Sequence, residues 1–344
     1  MTCASLSDLR QHLRDLGARP VHEEHLLRQW LQARPLQRGR HDAADFLPRA
    51  LREALPALRA WLDGLARPVS EHPAPDGSAR LLLALADGQR IEATRLPRQG
   101  LCVSTQVGCA VGCRFCMSGR DGLLRQLGSA EILAQVALAR AQRPVAKVVF
   151  MGIGEPSHNL DAVLEAIDAL GTLGGIGHKA LVFSTVGDSR VFERLPQQRV
   201  KPALALSLHS TDAARRAALL PRAPRLAPHE LVEAADRYAR ASGYPAQIQW
   251  TLLAGVNDGD DEVQGLQRLL AGRYLMLNLI PFNRAEGSGF QRPRWERAVA
   301  MTRALNRAGI LTRVRRSAAQ EVDGGCGQLR ARAPLEGAPR AVSA

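Results

Sequence analysis

Hydrophobic residues recur at intervals of three and four along the first 65 residues of the chain. Leu6, Leu9 and Leu13 begin the pattern after Ser5, a residue type that caps helices. The same spacing continues over residues 21–32 and 46–65, where the apolar positions again share one face. This pattern predicts a helical domain over residues 1–70.

The pattern changes after the third helical run. Residues 68–78, PVSEHPAPDGS, are rich in proline, serine and glycine and are typical of a domain boundary. Two apolar stretches then flank Asp87-Gly88, a pair that favours a tight turn between strands. We therefore expect a β-hairpin connection over residues 78–98.

From residue 101 onward, short apolar runs with the character of strands alternate with helical runs. The predicted strands lie near residues 101–104, 147–151, 180–184, 203–208, 247–252, 274–280 and 312–315. The predicted helices lie near residues 129–140, 160–170, 188–195, 212–219, 228–241, 260–271 and 293–308. This alternation is typical of an α/β fold with a mainly parallel sheet, either a complete or partial barrel or a doubly wound sheet. We assign residues 99–330 to this domain and predict that residues 331–344 form a disordered tail.

Polar and glycine residues follow several of these strands, at the edge where parallel sheets place their active sites. The positions are 151–156 (MGIGEP, with Gly154 and Glu155), Ser184, Ser207, His209 and Asn283. Taken singly, each is most simply a turn or strand-end cap. Together they supply the donors and acceptors that a nucleoside cofactor requires.

The charge of the chain indicates a polyanionic partner. Lysine and arginine number 46 against 33 acidic residues, for a formal charge of +13. Nucleic acid is favoured over an acidic membrane surface. No run approaches 18 consecutive apolar residues, and the N-terminus has no secretory pattern, so we expect a cytoplasmic protein that does not enter a membrane.

Four of the six cysteines fall within fifteen residues, in CVSTQVGCAVGCRFC. Cys109, Cys113 and Cys116 have the spacing C-x-x-x-C-x-x-C. Three soft thiolates on one short loop favour an iron–sulfur cluster over a structural zinc ion, which takes four ligands from paired knuckles. Cys102 is either a fourth ligand or has another role. Cys326 lies among glycines, where backbone can approach a ligand closely, and is predicted to be functional.

These stretches together resemble the RlmN/Cfr-type radical S-adenosylmethionine (SAM) RNA adenine methyltransferases, over residues 81–329. The stretches that carry the resemblance are 102–116, 151–156, SLH at 207–209, NLIPFN at 278–283 and CGQL at 326–329. The helical N-terminal part looks like the accessory domain of the same family. The resemblance implies a partial (βα)6-type barrel and an RNA-binding role for that accessory domain.

The resemblance also implies a role for each residue. Cys109, Cys113 and Cys116 would bind one 4Fe–4S cluster. SAM, used twice per turnover, would be contacted by Gly154, Glu155, Ser184, Ser207, Leu208, His209 and Asn283. Cys326 would carry the methyl group as S-methylcysteine, Cys102 would release the product by forming a disulfide with it, and Glu92 would accept the proton of the ring.

The implied partners are ribosomal or transfer RNA and an electron donor such as flavodoxin, with a monomer favoured. Two alternatives stay open: a radical SAM enzyme that acts on a substrate other than RNA, and a non-catalytic iron–sulfur protein that binds RNA. The sequence does not name the RNA, the nucleotide, or carbon 2 versus carbon 8 of adenine.

Overall fold

A computed structural model describes residues 5–38, 41–42, 46–283 and 288–315. The predicted N-terminal helices are α1 (Leu6–Asp15), α2 (Pro20–Leu31) and α3 (Arg49–Gly64), with short antiparallel strands β1 (Gln37–Arg38) and β2 (His41–Asp42) between the last two. Ser5 caps α1 as expected, since its hydroxyl accepts the Asp8 N–H. The apolar positions of these helices are buried.

The remaining strands follow in chain order. They are β3 (Arg67–Pro73), β4 (Ala79–Ala84), β5 (Arg90–Leu96), β6 (Gly100–Cys102), β7 (Gln106–Gly108), β8 (Leu123–Gln126), β9 (Lys147–Phe150), β10 (Leu181–Thr185), β11 (Ala203–Ser207), β12 (Ala246–Leu252), β13 (Leu275–Pro281) and β14 (Thr312–Val314). The helices are α4 (Ser129–Arg140), α5 (Leu160–Thr172), α6 (Ser189–Arg194), α7 (Ala213–Leu219), α8 (Pro228–Ser242), α9 (Asp260–Leu270) and α10 (Trp295–Arg307).

Ten strands form one sheet in the order β14-β13-β12-β11-β10-β9-β6-β5-β4-β3, and β7 and β8 form a separate two-stranded ribbon. The strands from β6 to β14 in this order are parallel, while β3 to β6 are antiparallel. The α/β fold is confirmed, and the predicted hairpin is the pair β4 and β5. Residues 67–73, expected to be part of a linker, form an edge strand, a position in which Pro68 and Pro73 are tolerated.

The sheet is curled, as a partial barrel requires. Strands β9 and β14 are five positions apart in the sheet, which is about 24 Å in a flat sheet. Lys147 at the start of β9 and Arg315 just after β14 nevertheless line one cavity, and burial, followed by the charge of Arg315, lowers the pKa of Lys147. In the described residues β3 and β14 remain edges, so the barrel is open.

One large hydrophobic core joins the two predicted domains. It contains Leu9, Leu27 and Leu51 of the N-terminal helices together with Phe150 and Trp250 of the sheet. No helix in the described part of the chain is long and apolar enough to cross a membrane.

Candidate active site

The curled sheet encloses a cavity of about 1000 Å³. Most of the predicted site residues line it: Cys102, Cys109, Cys113, Cys116, Gly154, Glu155, Ser184, Ser207, His209 and Asn283. Leu208 is buried in the main core, and the Glu92 side chain is buried beside the cavity. Cys326 lies outside the described residues. The strand ends therefore converge on one space, as their order in the sequence predicted.

The three clustered cysteines follow the ribbon of β7 and β8. The Cys109 N–H donates to Gly122 O at 2.9 Å, and the Cys116 N–H donates to Cys113 O at 3.0 Å. The Arg114 N–H donates to Leu219 O at 3.0 Å, which fastens the loop to the end of α7. These backbone bonds hold the loop in place independently of any metal.

The thiols of this loop suit a positively charged centre. Burial, together with the charges of the neighbouring Cys116 and Glu155, raises the pKa of Cys109 to about 12. Burial, followed by Cys116 and Cys109, also raises the pKa of Cys113. Thiolates here need a cation to stabilise them, as the iron of a cluster would.

The donor set of the loop also suits a cluster. No group of three His, Cys, Asp or Glu side chains among the residues that the structure describes could hold a single metal ion. Iron–sulfur clusters take cysteine thiolates as ligands, with each thiolate on a different iron. Cys109, Cys113 and Cys116 thus fit a 4Fe–4S cluster, which would supply electron transfer.

Cys102 lies in different surroundings from the three loop cysteines. It ends β6, where it pairs with Thr94 of β5 and Val149 of β9. Its side chain packs with Val182 and Ala205 inside the barrel, whereas Cys109 belongs to another apolar cluster, with residues such as Val186 and Leu253. Cys102 is therefore part of the wall of the cavity and not of the cysteine loop.

Glu155 joins two strand ends. Its carboxylate accepts the Ser157 N–H at 3.1 Å and the Val186 N–H at 3.0 Å, and burial raises its pKa. Gly154 beside it has φ 112°, and a Cβ there would lie 2.7 Å from the Gln106 side chain. Only glycine fits this approach, which explains its place in the motif.

His209 is held as a neutral hydrogen-bond donor. Its Nδ1 accepts the Thr251 N–H at 2.9 Å, so Nε2 carries the proton. Burial, aided by the charge of Arg216, lowers its pKa to about 3. Its ring contacts Phe115 edge-on at 4.8 Å between centroids. His209 can therefore donate to a cofactor oxygen but does not act as an acid near neutral pH.

Glu92 forms a buried ion pair with a residue that sequence reasoning missed. The Arg80 Nη1 donates to Glu92 Oε2 at 2.9 Å, and both side chains are 3% exposed. Arg80 lines the cavity and Glu92 does not. The guanidinium is thus the group of this pair that faces the cavity.

Arg216, which contacts two residues of the cavity wall, also lacks a motif. Arg216 is buried on α7 and donates to the carbonyl oxygens of Val186 and Ser207, and nothing in its sequence context marks it. Gln247, Gln249 and Thr251 were detectable, because polar residues at alternate positions of a strand indicate a polar inner face.

Comparison with known proteins shows what the whole chain is similar to. The model of the Radical SAM superfamily matches residues 103–267. A protein of Methylibium petroleiphilum named "Probable RNA methyltransferase" is 71% identical over 328 residues, which cover 95% of this chain and 93% of that protein. A protein of the same name from Stutzerimonas stutzeri is 66% identical over 330 residues, 95% of this chain and 96% of its own.

A solved structure is similar along nearly the whole chain. The crystal structure of a radical SAM methyltransferase from Sphaerobacter thermophilus has a TM-score of 0.81 and 32% sequence identity. It covers 94% of this chain and 97% of its own. The chain is therefore similar to these proteins over nearly its whole length and nearly all of theirs.

Proposed function

The chain belongs to the RlmN/Cfr-type family of radical SAM RNA methyltransferases, and from this premise we propose that it methylates carbon 2 or carbon 8 of an adenine in ribosomal or transfer RNA. Cys326 carries the methyl group as S-methylcysteine. Cys102 then releases the product by forming a transient disulfide with Cys326.

The observation that carries the proposal is the position of Cys102. Its thiol lines the cavity of Cys109, Cys113 and Cys116 but belongs to the strand wall and to a separate apolar cluster. A fourth ligand would belong to the cysteine loop, and an inert core thiol would not line the cavity. This placement supports a thiol that reacts with whatever occupies the cavity.

The chemistry explains why two thiols are useful. The ring carbons of adenine are too electron-poor to attack a sulfonium directly. The bound cluster and SAM supply a methyl group and, from a second SAM, a 5′-deoxyadenosyl radical. The radical would remove one hydrogen atom from the methyl group on Cys326, and the resulting methylene carbon would bond to the ring. The adduct would return one electron to the bound cluster and give its ring proton to Glu92, which has to turn from its ion pair with Arg80 to reach the cavity. The Cys102 thiolate would then attack the Cys326 sulfur, and the S–C bond would break with its electron pair left on the methylene carbon, which takes up a proton to become the methyl group.

The length of chain before Cys326 is compatible with this role. Arg315 lines the cavity, and Cys326 follows it by eleven residues. Such a segment spans at most about 40 Å when extended. The chain therefore has enough length to bring Cys326 back to Cys102.

The proposal includes the remaining components. Cys109, Cys113 and Cys116 hold one 4Fe–4S cluster. SAM is contacted by the predicted residues that line the cavity, which are Gly154, Glu155, Ser184, Ser207, His209 and Asn283, whereas Leu208 supports them from the core. The protein uses two SAM molecules per turnover, takes electrons from a donor such as flavodoxin, and acts as a monomer in the cytoplasm.

The test uses anaerobically reconstituted protein and SAM with an isotopically labelled methyl group. Mass spectrometry of the Cys326 peptide is expected to find one labelled methyl group before RNA is added. With RNA, Cys102→Ala is expected to accumulate a covalent RNA–protein adduct, because no second thiol is present to break the S–C bond.

Cys3→Ala is the matched control and is expected to release methylated RNA like the unchanged protein. An unlabelled Cys326 peptide would contradict the methyl-carrier role. Release of methylated RNA by Cys102→Ala would contradict the role of Cys102 but not the methyl-carrier role of Cys326.

A further inference from the structure

Besides Arg80, which is paired with Glu92, four cations line the cavity. We call Arg98, Lys147, Arg313 and Arg315 the cationic mouth. Arg98 precedes β6 and Lys147 begins β9, whereas Arg313 and Arg315 lie on β14 and just after it. The curl of the sheet brings these separate strands to the same opening.

The positive charge of the cationic mouth is not balanced by the described residues. None of its members forms an ion pair within the described ranges, and the Arg315 Nε donates to Asn278 Oδ1 at 2.9 Å. Burial, followed by the charge of Arg315, lowers the pKa of Lys147, and burial, followed by Arg313, lowers the pKa of Arg315. Cations that repel one another at a cavity opening are stabilised by an anion.

The backbone at Arg98 and Gln99 adopts an energetically unfavourable conformation. Arg98 and Gln99 have φ values of 55° and 59°. These lie in the left-handed region, which is unfavourable for residues other than glycine and asparagine. The Gln99 carbonyl accepts the N–H groups of Ala146 at 2.9 Å and Lys147 at 3.3 Å. This turn is thereby fastened to the start of β9 and holds Arg98 beside Lys147.

The cationic mouth lies close to the thiol of Cys102. Gly100 pairs with Lys147, and Cys102 pairs with Val149, two residues further along both strands. Two residues of strand span about 7 Å. An anion bound at the mouth would therefore be within a short distance of the thiol that is proposed to release the product.

We infer that the cationic mouth binds the backbone phosphates on either side of the target adenosine, an inference that rests on the proposed function. An adenine taken out of its stack would pass between the four cations into the cavity while its phosphates stay at the opening. The competing occupants are the carboxylates of Glu321 and Asp323, which lie outside the described residues.

The test measures how salt weakens RNA binding. A triple variant, Arg98→Gln, Lys147→Gln and Arg313→Gln, is compared with the unchanged protein by fluorescence anisotropy, using a short labelled RNA hairpin with one adenosine in its loop. Each phosphate contact contributes about 0.7–0.9 to the slope of log affinity against log salt. The triple variant is expected to lower the slope by about 2 and the affinity at low salt by at least about tenfold.

Two controls accompany the triple variant. Arg194→Gln, Arg199→Gln and Arg237→Gln together remove the same charge from the outside of the barrel and are expected to leave the slope unchanged. The charge-preserving set Arg98→Lys, Lys147→Arg and Arg313→Lys is expected to keep the slope, because phosphate contacts depend on charge.

Labelling of Cys326 by SAM without RNA separates the possible failures. If Cys326 is labelled and the triple variant keeps the slope of the unchanged protein, the inference is overturned and the proposed function stands. If the triple variant is no longer labelled at Cys326 while its salt slope is unchanged, the cations bind the carboxylates of Glu321 and Asp323 and not RNA. This result also overturns the inference. If the unchanged protein is never labelled, the proposed function fails, and the slope still reports on the phosphate contacts.

Discussion

His209 combines an uncommon backbone conformation with a fixed protonation state. Its φ of 63° lies in the left-handed region, and its Nδ1 accepts a backbone N–H, so the proton sits on Nε2. Arg216 nearby adds a positive charge that disfavours a second proton. The residue thus presents one defined donor to the cavity over the physiological pH range.

Replacing His209 is expected to change how stability depends on pH. The folded-state pKa of about 3 is below the ordinary value of 6.5, so the unfolded state binds a proton first as pH falls. The free energy of unfolding should fall by about 1.6 kcal/mol in total between pH 6.5 and pH 5 because of this residue. Urea denaturation of His209→Asn across that range measures it, since asparagine tolerates the φ value and keeps an acceptor.

His209→Asn should show a shallower decline than the unchanged protein, whatever its absolute stability. An equally steep decline in both proteins would mean that His209 is protonated freely in the folded state.

Placement in the site was predictable where its signal is local. The spacing of Cys109, Cys113 and Cys116 predicts that one loop presents all three, and all three line the cavity. The pairing of Arg80 with Glu92 depends on the register of β4 against β5, and the role of Arg216 depends on burial beside two strand ends. Neither produces a pattern in nearby sequence, so both were missed.

At the scale of elements, the connection from β11 to α7 depends on one acidic residue of α9. The Glu262 side chain is fully buried and accepts the Thr211 N–H at 2.8 Å, the Thr211 hydroxyl, the Ser210 hydroxyl and the Arg215 Nη1. These four bonds fix the segment that follows His209. Glu262 therefore positions His209 in the cavity indirectly, by holding the segment that connects β11 to α7.

Glu262→Gln is expected to lower the free energy of unfolding by about 2 kcal/mol, because an amide NH₂ then faces donors that have lost their acceptor. SAM affinity, measured by calorimetry, should fall severalfold while the iron content stays the same. Asp261→Asn is the matched control: its carboxylate pairs with the same Arg215 but is exposed, so the expected change is below about 1 kcal/mol. Equal effects of the two variants would contradict this role.

The ribbon of β7 and β8 delivers the cysteine loop, and two glycines in it can be compared. Gly108 and Gly122 both have positive φ, but a Cβ on Gly108 would lie 2.0 Å from Gly122 O, whereas one on Gly122 meets nothing within 4 Å. Gly108→Ala is therefore expected to displace the loop and lower the iron bound per chain to less than about half.

Gly122→Ala would place alanine at a positive φ, as Gly108→Ala does, but its Cβ would contact no other atom. This variant should therefore retain iron. Iron analysis and the visible absorption of the reconstituted proteins measure both. Similar loss in the two variants would show that strain alone, and not the contact between β7 and β8, governs the loop.

Helices and long strands were predictable from periodicity, but short elements were not. Strands β7 and β8 have three and four residues, too few for a period of two to be recognised. Strand β3 was missed because Pro68 and Pro73 indicate a linker, and only its position at the edge of the sheet makes them acceptable.

At the scale of the whole molecule, the N-terminal helices are joined to the barrel through Arg140. Its Nη1 donates to Leu31 O at 2.8 Å and to Gly174 O at 2.7 Å, and its Nη2 donates to Val145 O at 2.9 Å. Burial lowers the pKa of this guanidinium. One side chain thus satisfies three carbonyl groups from separate segments.

Arg140→Met is expected to lower the free energy of unfolding by about 3 kcal/mol, since three carbonyl groups lose their donor. Because the core is shared, tryptophan fluorescence and far-ultraviolet circular dichroism should report one transition in the unchanged protein. Arg194→Met, at an exposed ion pair, should change stability by less than about 1 kcal/mol. Two separate transitions in the unchanged protein would contradict a shared core.

Alternation of strands and helices predicted the class of fold but not whether the barrel closes. Closure depends on whether β14 meets a distant strand, which no local pattern encodes. The excess of basic residues likewise predicted a polyanionic partner but not the opening at Arg98 and Lys147, because that opening forms only when the sheet curls.

The position of Cys102 in the middle of the sheet has a topological consequence. A bond from this strand to Cys326 would close a ring of more than 220 residues through most of the chain. Such a ring lowers the entropy of the unfolded chain by an amount worth about 5 kcal/mol at room temperature. The form with the Cys102–Cys326 disulfide, which exists before the disulfide is reduced, would then resist unfolding by heat and denaturant more than the resting enzyme. An intermediate of turnover would therefore also be the most stable form of the protein.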